Sequence, residues 1–196
     1  MKMKLSGGQW LAALLLAGGL SQIASLAADP TAFELIKEGN RHVGEEAKGR
    51  VVQIRSEKSI GTLMPNIWYV VYYDPDATAK ATEVKFAAGT KVSVKRPARI
   101  LEPISRSHRE LAKEKLKIDS DKAIQIAKSD PLLKNVTLTN TEMRLERGEG
   151  DQPVWKVKLW AAKIRKPSET VHIGEIHISA EDGKVVKSDL KPGRVD

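Results

Sequence analysis

The sequence predicts an α+β protein of two small units, each a short helix packed on an antiparallel β-sheet, and three observations carry that expectation. Capped amphipathic stretches begin near residues 30 and 119. Each is followed by several runs rich in β-branched and aromatic residues, and turn residues separate those runs.

The elements follow in order. Asp29-Pro30 sets a capping residue before a proline at the first helical position, and Phe33, Ile36 and Val43 recur near the helical period, so residues 30–43 read as a helix. Gly44 and Gly49 mark its exit. Strand-like runs come next at 50–57 (RVVQIRSE), 66–74 (NIWYVVYYD) and 83–95 (EVKFAAGTKVSVK), the last broken by a turn at Ala88-Gly89. Asp74-Pro75-Asp76 reads as a turn. Pro97 and Pro103 punctuate a connector, and the charged residues 105–117 (SRSHRELAKEKLK) make 98–117 a linker or a solvated helix. Ile118-Asp119-Ser120-Asp121 then supplies caps ahead of Ala123, Ile124 and Ala127, giving a second helix that ends at Asp130-Pro131. Further strand-like runs cover 135–146, 154–164 and 172–189, the last containing the turn Glu181-Asp182-Gly183-Lys184.

The chain therefore divides into an N-terminal unit over 28–97, the connector over 98–117 and a C-terminal unit over 118–196. Both units read helix then strands, and residues 67–73 (IWYVVYY) align with 154–160 (VWKVKLW), as Gly89 does with Gly183. This is a weak internal repeat with a period near 90 residues.

Ahead of these units, Lys2 and Lys4 precede the apolar run 10–20 (WLAALLLAGGL), and Ser25 and Ala27 fit the small-residue positions of a peptidase site. Residues 1–27 thus read as a signal peptide, the run being too short for the about 20 residues of a membrane-spanning helix. The expected location is periplasmic or secreted, with no membrane span. Removing Lys2 and Lys4 lowers the formal charge from +8 to +6. The chain has no cysteine, so neither disulfides nor thiolate chemistry contribute. Export argues against nucleic acid as the partner of this positive charge and favours anionic envelope polymers or acidic protein surfaces.

Residues 118–190 resemble a PepSY domain. The carrying residues are the capped helix Ile118-Asp119-Ser120-Asp121-Lys122-Ala123-Ile124-Gln125-Ile126-Ala127, the tryptophan strand Val154-Trp155-Lys156-Val157, and the closing hairpin Ile176-His177-Ile178-Ser179-Ala180-Glu181-Asp182-Gly183-Lys184-Val185. The resemblance implies a PepSY-like or cystatin-like arrangement in each unit, with the first half a diverged second copy. It also implies a non-enzymatic role in the envelope: peptidase modulation, chaperoning or partner binding. The family brings no fixed catalytic residues.

Alternation along the two tryptophan strands separates their faces. Trp68, Val70 and Tyr72, like Trp155, Val157 and Leu159, are expected to form the core. The opposite face carries Tyr69, Val71 and Tyr73 in one half and Lys156, Lys158 and Trp160 in the other. Of these, Tyr69, Tyr73, Lys156, Lys158 and Trp160 are the candidate contact residues for a protein or peptide, because aromatic rings and lysines together make a recognition surface. Packing of the rings between the halves is the competing reading. Among the histidines His42, His108, His172 and His177, the last two lie five apart on one strand and are expected on opposite faces, whereas Glu175 and His177 share a face. A third ligand is not visible, so no metal and no cofactor are expected. Hydrolase and phosphate-binding signatures are absent and no catalytic residue is assigned. A charge-held protein on an anionic envelope polymer is the alternative function.

Overall fold

The computed structural model describes residues 29–97 and 110–196. The expected signal peptide and residues 98–109 of the connector lie outside the described residues.

Thr31, rather than Asp29, caps α1 (Ala32–Gly39). Its hydroxyl accepts the Glu34 N–H, and the Glu34 carboxylate takes the Thr31 N–H at 2.9 Å, closing a capping box. The helix is shorter than the pattern through Val43 implied. It stops where Gly39 meets the Tyr72 hydroxyl, and Asn40 ties the exit by accepting the Gly49 N–H at 2.8 Å. Val43 still packs on the core, but from the loop.

Four strands follow: β1 (Val51–Ser56), β2 (Ile67–Tyr73), β3 (Ala81–Ala87) and β4 (Thr90–Lys95). The second half repeats the order with α2 (Ser120–Lys128), β5 (Leu138–Arg147), β6 (Pro153–Ala162), β7 (Thr170–Ser179) and β8 (Val185–Leu190). Ala88 and Gly89 both have positive φ in the β3–β4 turn, which matches the strand twist, and Gly183 has φ 77° in the β7–β8 turn. The Asp74 turn closes on itself: the Asp74 carboxylate accepts the Asp76 N–H at 3.0 Å and the Thr82 hydroxyl at 2.5 Å.

The two separate sheets suggested by the sequence are one. All eight strands form an antiparallel sheet in the order β4-β3-β2-β1-β5-β6-β7-β8. β1 pairs with β2 on one side and with β5 on the other, where Ile54 faces Leu145 and Arg55 faces Arg144. The physical reason is edge protection: separate sheets would leave β1 and β5 with unpaired backbone groups, and their pairing removes both edges.

Both helices cover the same sheet face, and one hydrophobic cluster runs through both halves. At its centre Trp68 and Trp155 meet edge to face at 6.4 Å, and Phe33 of α1 stacks on Trp155 at 6.3 Å. Each buried indole N–H has a carbonyl partner at 2.8 Å, Pro65 for Trp68 and Ile118 for Trp155. The described part of the connector is docked, not a solvated helix. Leu111 is buried with its N–H on the Val51 carbonyl, and the N–H groups of Lys117 and Ile118 both reach the Ala180 carbonyl.

The N-termini of the helices meet across the halves. The Ala32 N–H donates to Ser120 Oγ at 3.0 Å and the Phe33 N–H to Asp119 Oδ1 at 3.1 Å, while Asp119 also accepts the Ser120 N–H as the cap of α2. With the Thr31–Glu34 box, every unpaired amide of the first turn of α1 is satisfied. One carboxylate thus serves two helix ends. Asp119→Ala is expected to cost about 1–4 kcal/mol, two caps at about 0.5–2 kcal/mol each, and Asp119→Asn to restore most of it. Thermal unfolding of the two variants checks this, and an Ala variant as stable as the parent would refute the shared cap.

Candidate functional site

The faces divide as alternation requires. Trp68, Val70, Tyr72, Trp155, Val157 and Leu159 are buried on the helix side. The side chains of Tyr69, Tyr73, Lys156, Lys158 and Trp160 fall on the other side and are all half-buried. Among the described residues, no helix covers this second face.

Strand register arranges that face into rows. Lys85 stands opposite Tyr69, Tyr69 opposite Arg55, Arg55 opposite Arg144, Arg144 opposite Lys156, and Lys156 opposite His177. A single line across β3, β2, β1, β5, β6 and β7 therefore holds four cations, a tyrosine and a histidine. Arg55, Lys85 and Arg144 were not picked out from the sequence. Alternation in VVQIRS, TEVKFA and TEMRLER marks them as outward-facing, but their alignment depends on the β1–β5 pairing, which joins residues far apart in the chain.

The row is held in place by carboxylates beside it. Arg55 pairs with Glu83, Lys85 with Glu57 at 3.1 Å, Lys156 with Glu146 at 2.5 Å, and His177 with Glu175. In the adjoining row Lys158 pairs with Glu142 at 2.7 Å. Tyr69 is the most connected ring: its hydroxyl donates to Glu57 at 2.5 Å, and the Arg55 guanidinium lies 4.0 Å from its centroid. The Tyr69 hydroxyl and the Lys85 ammonium hold the Glu57 carboxyl below the usual carboxylate range. Tyr69 and Glu57 in turn hold Lys85 above the usual amine value. These groups are open to water, so the pairs fix geometry more than they add stability.

The five expected contact residues do not form one cluster. Tyr69 and Lys156 lie in the same row with Arg55 and Arg144 between them. Tyr73 sits at one end of the sheet with Val52, Val71 and Ala81, under the Arg50 guanidinium at 4.4 Å. Trp160 sits at the other end, opposite Asn140, with the His172 ring at 5.0 Å and the Lys58 ammonium at 4.7 Å.

The histidine expectation is corrected. Pairing skips Ile173 between Leu159–Gly174 and Trp160–His172, a bulge flanked by Gly174 at φ 128°. The inserted residue reverses the alternation, so His172 and His177 share the helix-free face instead of opposing ones. Ile173 and Ile176, both fully buried, show the same reversal from the core side. Glu175 and His177 do share a face, as expected, and are hydrogen-bonded. Among the described residues no group of three acidic or histidine side chains is arranged to hold a metal, and no helix is long and apolar enough to cross a membrane.

No family model matches the chain, and comparison with curated proteins and with solved structures returns no match.

Proposed function

We propose that the protein is an exported, non-catalytic binding module whose helix-free sheet face engages a protein or peptide in the cell envelope. The supporting observation is the asymmetry of the sheet: both helices pack on one face, while the other presents Tyr69, Tyr73 and Trp160 beside ordered lysines and arginines. Rings held by cation–π contacts offer contact area with little rotamer entropy left to lose on binding. The PepSY-like character of residues 118–190, with the first half as a diverged copy and peptidase modulation as the implied role, belongs to the same proposal. It draws support from the repeated order of helix and four strands. Attachment to an anionic polymer through net charge draws less support. Arg55, Lys85, Lys156 and Lys158 each have a carboxylate partner, which weakens the pull of this face on a polyanion.

A photo-crosslinking amino acid at position 160, with position 73 as the second probe, tests the proposal in the exported, folded protein. One dominant protein adduct, identified by mass spectrometry and persisting at roughly 0.5 M salt, is expected, because contacts between rings survive screening that releases exposed charges. Absence of an adduct at both positions would remove this face from consideration.

A further inference from the structure

Among the described residues the exposed large apolar side chains fall into two groups. Val92, Val94, Val185 and Val186 lie on the outermost strands β4 and β8, where the sheet edge leaves them open. The other three, Ile60 at 84 % exposure, Ile164 at 64 % and Leu132 at 55 %, lie between strands. Strand direction brings all three to one end of the sheet. Residues 57–66 join β1 to β2, and β5 runs antiparallel to β1, so its first residues lie beside that loop. The Ser59 N–H donates to the Thr141 carbonyl, and Ser59 Oγ accepts the Thr141 N–H at 2.8 Å. At this same end Ala161 of β6 pairs with Leu138, and Ile164 lies just past the strand. Leu132 belongs to the 3-10 turn Pro131–Leu133 that leads into β5.

Each of the three is held out by an anchored backbone. Ser59, next to Ile60, and Leu133, next to Leu132, are both buried. The Leu132 N–H donates to the Asp130 carboxylate at 2.9 Å, and the Ile164 N–H donates at 2.7 Å to the carbonyl of Val195, itself buried. Single exposed apolar residues are common on protein surfaces. Three fixed in water at one end of a sheet mark a contact surface.

Charge selects what that surface meets. Lys58 lies near Ile60, Lys134 near Leu132, and Lys163, Arg165 and Lys166 surround Ile164. Lys163 and Lys166 share Glu169 at 2.8 and 3.1 Å, whereas Lys134 and Arg165 are exposed and have no carboxylate partner among the described residues. Segments 57–66, 129–137, 163–169 and 191–196 together hold seven basic and four acidic residues. The turns at the opposite end, 74–80, 148–152 and 180–184, hold six acidic residues and two lysines. Charge is therefore polarised along the strands, and a negative surface would turn the apolar end toward itself. A soluble polyanion would satisfy the cations and leave the isoleucines in water. An anionic bilayer takes both, because its headgroups meet the cations and its acyl boundary accepts the apolar side chains.

We propose that this end of the sheet docks on an anionic lipid bilayer, with Ile60, Leu132 and Ile164 entering the headgroup–acyl boundary and Lys134 and Arg165 meeting lipid phosphates. The strands then stand away from the bilayer and the helix-free face stays open, so the docking is independent of the protein-binding role given to that face. Flotation with vesicles of equal parts phosphatidylglycerol and phosphatidylcholine, against vesicles of phosphatidylcholine alone, tests it on the folded protein. Binding to the mixed vesicles is expected to be at least about tenfold tighter, two cations at about fivefold each giving more than that. Ile60→Ser combined with Ile164→Ser is expected to weaken it about tenfold, and Lys134→Gln and Arg165→Gln about fivefold each, all with the unfolding temperature unchanged because these side chains are exposed. Val186→Ser removes an apolar side chain of similar exposure from the β8 edge and is expected to change nothing. Parent and variants share the same N-terminal residues, so the differences report the docking end alone. Ile60→Cys, in a chain with no other cysteine, carries an environment-sensitive dye whose emission is expected to shift to the blue on the mixed vesicles, whereas Asp182→Cys at the opposite end is expected to give no shift. Equal binding to both kinds of vesicle, parental binding after loss of both isoleucines, an equal loss in Val186→Ser, or retention on heparin without vesicle binding would overturn the proposal.

Discussion

Trp155→Ala is expected to lower the unfolding free energy by about 3–5 kcal/mol, the range for truncating a fully buried tryptophan. Trp155 has no exposed surface, stacks with Phe33 from α1 and meets Trp68 from β2 edge to face, so one side chain joins both halves and a helix. Truncation leaves a cavity at that junction and strips the Ile118 carbonyl of its indole partner. For a chain of this size the unfolding midpoint is expected to fall by roughly 10 °C, at about 2–4 °C per kcal/mol. Trp155→Phe keeps much of the packing and is expected to cost about half as much. Trp160→Ala is the control, because its half-buried ring lies outside the core cluster, and it is expected to cost less than about 1 kcal/mol. Chemical unfolding of the three variants decides the matter, and equal losses for Trp155→Ala and Trp160→Ala would contradict the shared core described here.

The second large effect is expected from Gly174→Ala. Gly174 has φ 128°, a conformation open to glycine and strained for other residues, and an added Cβ would fall inside contact distance of the Asp189 carbonyl oxygen in β8. Because the obstacle is backbone, no rotamer change relieves it. Strain of about 1–3 kcal/mol and overpacking of similar size give an expected loss of about 2–6 kcal/mol. The damage is expected to be local first. Amide hydrogen exchange in β8 and the flanking part of β7 is expected to accelerate while β1, β2 and β3 keep their protection. Gly61→Ala serves as the comparison: it also has positive φ, but an added Cβ there meets nothing. If Gly174→Ala kept β8 protected and shifted stability no more than Gly61→Ala, the bulge would not be a constrained feature.

Much of the secondary structure was legible because it is encoded locally. The cap of α2 at Asp119, the alternation of IWYVVYY and VWKVKLW, and the turns at Ala88-Gly89 and Glu181-Asp182-Gly183-Lys184 each depend on a few adjacent residues, and each lies where it was expected. The start of α1 was misplaced for the same kind of reason: Asp29-Pro30 and Thr31 with Glu34 are competing local caps, and the reciprocal bonds of the second pair win. The candidate face was half legible. Alternation gave the outward side of Tyr69, Lys156 and Lys158, whereas the parity of His172 was lost to a bulge that depends on Gly174 lying against β8.

The sequence by itself determined which segments are helix and strand, which side of each tryptophan strand is apolar, and that no cysteine chemistry operates. Those properties follow from side-chain period and composition, which act over a few residues. Only the tertiary structure decided that the halves share one sheet, that Asp119 caps both helices, that Arg55 and Arg144 join Tyr69 and Lys156 in a row, and that Ile60 comes to the same end of the sheet as Leu132 and Ile164. Each of these depends on contacts between residues some 80–90 positions apart. Strand pairing and edge burial select such contacts, and a periodic pattern along one chain segment carries no record of which strand will lie beside it.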